Sequence, residues 1–179
     1  ALRTFVDTID MRLNGTAAYG AAEGSRIGAV QMLHEMRADL DKPNTAEGST
    51  PTIIAAQNGH TAMVQLLYDL GADVHRAAND GVRPIHVAAR FGHDKTVLLL
   101  LSLRAAVNAK SNRGITACWD AADKGHIRVV TTLLHMRADP NLAVERWTPA
   151  DMARNNKHHD VLALLVSNGG THNIRITER

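Results

Sequence analysis

Residues 48–73 read GSTPTIIAAQNGHTAMVQLLYDLGAD, and the order of residue types in this stretch decides the fold. Thr50-Pro51 opens a helix: a threonine hydroxyl accepts from free N–H groups of the first turn, and proline lacks the N–H that would go unused there. The small pair Ala55-Ala56 lets a neighbouring backbone approach closely. Gly59 ends the helix, because glycine takes the left-handed conformation without steric cost. Met63, Val64, Leu66 and Leu67 then fall at helical spacing and predict a second helix. Gly71-Ala72-Asp73 and the following Gly81 carry the turn chemistry of a projecting, hairpin-like loop.

The same order recurs along the chain. Paired small residues stand at Ala21-Ala22, Ala55-Ala56, Ala88-Ala89 and Ala121-Ala122, at spacings of 34, 33 and 33, and a degraded copy, Ala153-Arg154, follows after 32. Gly59-His60, Gly92-His93 and Gly125-His126 keep step, as do Thr50-Pro51, Arg83-Pro84, Thr116-Ala117 and Thr148-Pro149 upstream. Turn residues Ala38-Asp39, Val107-Asn108 and Ala138-Asp139-Pro140-Asn141 close the units, with Gly48, Gly81 and Gly114 beginning the next. One such unit cannot bury its own apolar face, so its neighbours must stack on it.

The frame G-x-T-P-x-x-x-A-A-x-x-G-H-x-x-x-V-x-x-L-L, closing on G-A-D-x-N, resembles the ankyrin repeat over residues 14 to 173. The resemblance implies an all-α solenoid of stacked helix-turn-helix units with projecting β-hairpin-like loops. Five repeats are expected at about 14–44, 45–77, 78–110, 111–143 and 144–170. Leu2, Phe5, Val6, Ile9 and Leu13 fall mostly on one helical face and predict a capping helix over residues 1–13. Residues 171–179 are expected to form a loose polar tail. Where the repeat has glycine after its second helix, this chain keeps Gly71 and Gly169 but carries Arg37, Arg104 and Arg137 elsewhere. A left-handed arginine costs on the order of 1 kcal/mol against glycine.

Composition agrees with tight helix stacking. Apolar residues make up 45% of the 179 residues but aromatics only 3%, so Leu, Ala, Val and Met must fill the interior. A net charge of +2 calls for no anionic partner. Basic residues are scattered rather than striped among stacking aromatics, and no nucleic-acid partner is expected. Apolar runs such as Val97 to Leu101 are far too short to cross a bilayer, so any membrane association would come through partner chains. With one cysteine, Cys118, no intrachain disulfide can form, and the compartment stays open between cytoplasm and an organelle. No signal peptide is visible, and the start at Ala1 fits either trimming or removal of a leader.

No catalytic constellation, metal set or cofactor motif is found, and no enzyme activity is expected. His60, His93 and His126 recur one repeat apart, about 10 Å on the spacing of packed helices, whereas zinc needs ligands about 2 Å from one ion. They are read as structural. His86 sits at the family's Thr-Pro-Leu-His position, which implies a hydrogen bond in the seam between repeats. The run Lys157-His158-His159-Asp160 is read as a solvated helix start. Cys118 stands in an apolar position that keeps its thiol inert.

By the same resemblance, loop tips and the exposed side of each first helix form a concave face that grips proteins. Carried over by position, that face comprises Glu47, Ser49, Gln57 and Asn58 in repeat two and Asp80, Val82, Arg90 and Phe91 in repeat three. Repeat four contributes Arg113, Ile115, Asp123 and Lys124, and repeat five Glu145, Trp147, Asn155 and Asn156. Val82, Phe91, Ile115 and Trp147 are expected to form an apolar row rimmed by Arg90, Arg113 and Lys124, as an interface with aromatic and arginine anchors would. A secondary lateral patch is expected from Met36, Leu70, Leu103 and Met136, equivalent in the four units, with Leu98.

Two functions follow. The first is a scaffold or adaptor, monomeric on its own, that binds one or more proteins through the concave face. The alternative is a fixed structural subunit of a large assembly. An organellar complex of an algal photosynthetic membrane is one such assembly, since arginine for glycine resembles ankyrin proteins of unicellular algae.

Overall fold

The computed structural model of the chain describes residues 17–44 and 46–172. The expected capping helix over residues 1–13 lies outside the described residues. Among the described residues, ten helices come in five pairs. The inner helices are α1 (Ala17–Glu23), α3 (Pro51–Gln57), α5 (Pro84–Arg90), α7 (Ala117–Lys124) and α9 (Pro149–Asn155). The outer helices are α2 (Ile27–Glu35), α4 (Thr61–Asp69), α6 (Asp94–Ser102), α8 (Ile127–His135) and α10 (His159–Ser167). Each inner helix packs on its own outer helix and on the inner helices before and after it, and the outer helices stack likewise. The result is a helical solenoid.

Local chemistry sets the boundaries. Thr50, Thr116 and Thr148 cap α3, α7 and α9, their Oγ1 atoms accepting from the N–H of Ile53, Trp119 and Asp151. Pro51, Pro84 and Pro149 occupy the first helical turn. Arg83 brings no hydroxyl to α5; there His86 Nδ1 accepts the Arg83 N–H at 3.0 Å instead. The inner helices stop at residues with positive φ, either Gly59, Gly92 and Gly125 or, in the first and last units, Ser25 and Lys157.

The core runs as one strip along the stack. Ala55, Ala56, Ala88, Ala89, Ala121 and Ala122 are fully buried, which is why inner helices approach so closely. Met63, Leu67, Leu100, Leu133 and Leu165 fill the space between the two layers. Arg37, Arg104 and Arg137 take φ of 59, 71 and 64, so the left-handed position is occupied by arginine in three units.

The loops pair as hairpins. Ala78 N–H donates to Val82 O and Ser111 N–H to Ile115 O, while Val144 and Trp147 exchange both backbone bonds as an antiparallel bridge. Neighbouring hairpins are laced together by Asn79 N–H to Glu47 O and Asn112 N–H to Asp80 O. Of the expected loose tail, Thr171 is tied down: its N–H and Oγ1 donate to Asn141 Oδ1, and its carbonyl accepts from Thr148 Oγ1. Residues 173–179 lie outside the described residues.

Candidate functional site: the hairpin and inner-helix side

A ladder of histidines fixes the frame on which this side is built. The Nε2 atoms of His60, His93, His126 and His158 bond the carbonyls of Glu23, Gln57, Arg90 and Asp123 in the preceding unit, at 3.0, 2.8, 2.9 and 3.1 Å. The glycines make room for these rings. A Cβ on Gly59, Gly92 or Gly125 would come within 2.5 to 2.7 Å of the next unit's histidine Nδ1. His60, His93 and His126 are therefore structural, as their spacing predicts. His158 is a fourth member that the Lys157-His158-His159-Asp160 run concealed. Its position five residues after Ala153 matches His60 after Ala55, and that count would have found it.

His86 is fully buried and bonds across the seam, Nε2–H donating to Ala109 O at 2.8 Å while Nδ1 accepts from Arg83 N–H. Burial pushes its pKa below the ordinary histidine value, and this bonding pattern needs the neutral ring. In the fourth unit Trp119 takes the place of His86, and its Nε1–H donates to Trp147 O at 3.1 Å.

The sequence-predicted residues occupy two rows, not one. Phe91 follows the C-terminal end of α5, where the equivalent residues are Asn58, Lys124 and Asn156. Val82, Ile115 and Trp147 precede the N-terminal ends of α5, α7 and α9. A seven-residue inner helix, about 10 Å long, separates these two levels. Phe91 and Trp147 also lie two units apart, so the single apolar row expected from sequence does not form.

Ile115 requires a further correction. It is 5% exposed, because its hairpin folds back, with Ser111 Oγ accepting Ile115 N–H. Val82 is half-buried against the core. The open apolar groups are Phe91, 50% exposed, and Trp147, 37% exposed with the Arg146 guanidinium 5.4 Å from its ring centre. Asn58 and Arg113 are exposed, Asn58 Nδ2 donating to Glu23 O. Lys124 is exposed and pairs with Asp123 at 2.9 Å.

Arg90 is bound across the next seam. Its Nε and Nη2 donate to Asp120 Oδ1 and Oδ2 at 2.9 and 3.4 Å. Asp120 is 2% exposed, and burial pushes its carboxyl up to about 6 despite the arginine. Asp120 was missed from sequence, since Val87 and Ile54, its equivalents, carry no charge.

Between the loop of the second unit that carries Glu47 and the Ala78–Val82 hairpin of the third lies an open groove of about 420 Å³. Ile53, Val82 and Val87 give it apolar walls, with Glu47 and Asp80 on the hairpin side and Arg90 on the helix side.

On the outer side, Met36 and Met136 are about 40% exposed and Leu98 is 53% exposed, while Leu70 and Leu103 pack partly on the core. The lateral patch is thus interrupted at two of its equivalent positions. Cys118 is buried, and burial pushes its thiol up to about 12, which keeps it protonated and unreactive. Among the described residues no cluster of three or more His, Cys, Asp or Glu side chains could hold a metal ion. No helix of the described residues is long and apolar enough to cross a membrane.

Comparisons with known proteins agree with this architecture. A family model described as ankyrin repeats (3 copies) matches residues 16–111, and a second, ankyrin repeat, matches residues 113–143. An ankyrin repeat and KH domain-containing protein of Caenorhabditis briggsae is 35% identical over 57 residues, 32% of this chain. The chain spans 2% of that relative's length.

Proposed function

The chain belongs to the ankyrin-repeat family, a family of protein-protein interaction modules that are generally non-catalytic, and on that premise we propose that it is a scaffold or adaptor gripping a protein partner on its concave, hairpin and inner-helix side. Phe91 carries the reading. A phenyl ring left half in water at a position where other units place Asn58, Lys124 and Asn156 is unfavourable in the free chain. Covering the half still in water would contribute about 1–1.5 kcal/mol, half of what burying a whole phenyl gives and enough for an interface anchor. Trp147 offers a second anchor, held by its hairpin bridge and by the indole N–H of Trp119. Arg113, Lys124 and Asn58 supply the polar rim, and Arg90 and Val82 line the groove between the hairpins.

The test is a pull-down from native extract with the wild-type chain beside Phe91→Ala and Trp147→Ala variants, all checked for helicity. Each substitution is expected to lower retention of one specific protein by tenfold or more. Undiminished retention by both folded variants counts against the concave reading. The second reading, a fixed structural subunit of a larger assembly, draws on the outer helices, where Met32, Met36, Leu98 and Met136 are exposed. It predicts stoichiometric copurification that depends on those side chains instead.

A further inference from the structure

We propose, building on the reading of this side as protein-binding, that the groove between the Glu47 loop and the Ala78–Val82 hairpin is a subsite for a lysine or arginine side chain of the partner. Its apolar walls, Ile53, Val82 and Val87, suit the methylene stem of such a side chain. Its hairpin rim carries two carboxylates at equivalent positions, Glu47 and Asp80, and neither forms an ion pair among the described residues. The next equivalent position along the stack is Arg113, so the pairing of carboxylates does not continue into the neighbouring groove.

The frame holding the two carboxylates is fixed before any partner arrives. Asn79 N–H bonds the Glu47 carbonyl and locks one hairpin to the other, and the pairing from Asn112 N–H to the Asp80 carbonyl continues the lacing. Asp80 Oδ1 accepts the Val82 N–H at 3.0 Å, which orients the side chain. The one cation in the lining among the described residues, Arg90, is turned to Asp120 of the next unit, and that carboxylate offsets its charge. An incoming ammonium or guanidinium therefore meets two uncompensated carboxylates beside apolar walls, and the laced hairpins with the oriented Asp80 side chain spare it part of the ordering cost. A phosphate-bearing ligand meets like charge at the same rim.

The probe is a displayed library of random nonapeptides, selected on the intact wild-type chain and on the Glu47→Gln/Asp80→Asn double variant. Asparagine at position 80 keeps the acceptor for the Val82 N–H, so the hairpin is retained, and circular dichroism with a urea midpoint verifies it. Wild type is expected to enrich peptides sharing a Lys or Arg next to apolar residues. A synthetic copy of one such peptide should lose about tenfold in affinity on the double variant and weaken as salt is raised. Enrichment of acidic or uncharged peptides, or peptides held equally by the double variant, overturns the basic-subsite proposal and leaves the protein-binding reading standing. Enrichment of nothing on the folded chain also overturns it, and the extract pull-down then judges the protein-binding reading separately.

Discussion

At single positions the chain departs from the repeat and remains in the fold. Arg37, Arg104 and Arg137 hold left-handed backbone in the turn after an outer helix, where Gly71 and Gly169 serve elsewhere. Sequence alignment of the units exposed this, because the arginines sit at one offset. Arg104→Gly should therefore raise stability by up to about 1 kcal/mol, read as a higher urea midpoint with an unchanged slope. Gly92 is the opposite case: its φ is 78, and an added Cβ would meet the His126 ring at 2.7 Å. Gly92→Ala should lower the midpoint, and His126→Ala in the same chain should recover less than the whole loss, since the backbone strain remains. Full recovery would mean that the ring clash alone sets the requirement. Phe91 and Trp147 were legible as odd residues in their units. Their separation was not: each offset was visible, but only the folded inner helix turns a difference in offset into two levels.

Among elements, the seam between the third and fourth units holds a half-buried ion pair that the repeat pattern did not announce. Arg90 and Asp120 lie 30 residues apart, and neither belongs to the repeating frame. Their pairing follows from α5 lying against α7. The Asp120 carboxyl is raised to about 6 from 3.8, chiefly by burial. Between these values the folded chain binds a proton more tightly than the unfolded chain, so the contribution of Asp120 is present below pH 3.8 and lost as pH rises through about 6. Urea titrations should thus find wild type gaining on Asp120→Asn as pH falls from 7 to 4. A wild-type stability that, measured against the variant, stays constant or increases with rising pH would contradict the assignment. Arg90→Met leaves the carboxylate buried without its cation. Its cost at pH 7 should fall at the low end of the ~3–5 kcal/mol of a broken buried pair, because Arg90 is partly open to solvent. That cost should shrink at pH 5, where Asp120 is protonated. The helices themselves were readable because caps, alanine pairs and glycines recur at fixed offsets. The burial of Ile115 was not, since it depends on Ser111 folding the hairpin back.

Over the whole molecule, stability and recognition both follow from the stack. Each unit packs on its neighbours, so the histidine ladder and the lacing of the hairpins hold adjacent units together on the side that carries Phe91, Trp147 and the groove. The outer side carries exposed Leu98 and the methionines at 36 and 136. These two sides make opposite claims about where a partner sits. Cross-linking separates them directly: a photo-reactive side chain is placed at position 91 in one preparation and at position 98 in another, and each is irradiated in native extract. The account predicts one specific protein adduct from position 91 and none from position 98. Adducts from position 98 alone would contradict it and make the outer helices the working surface.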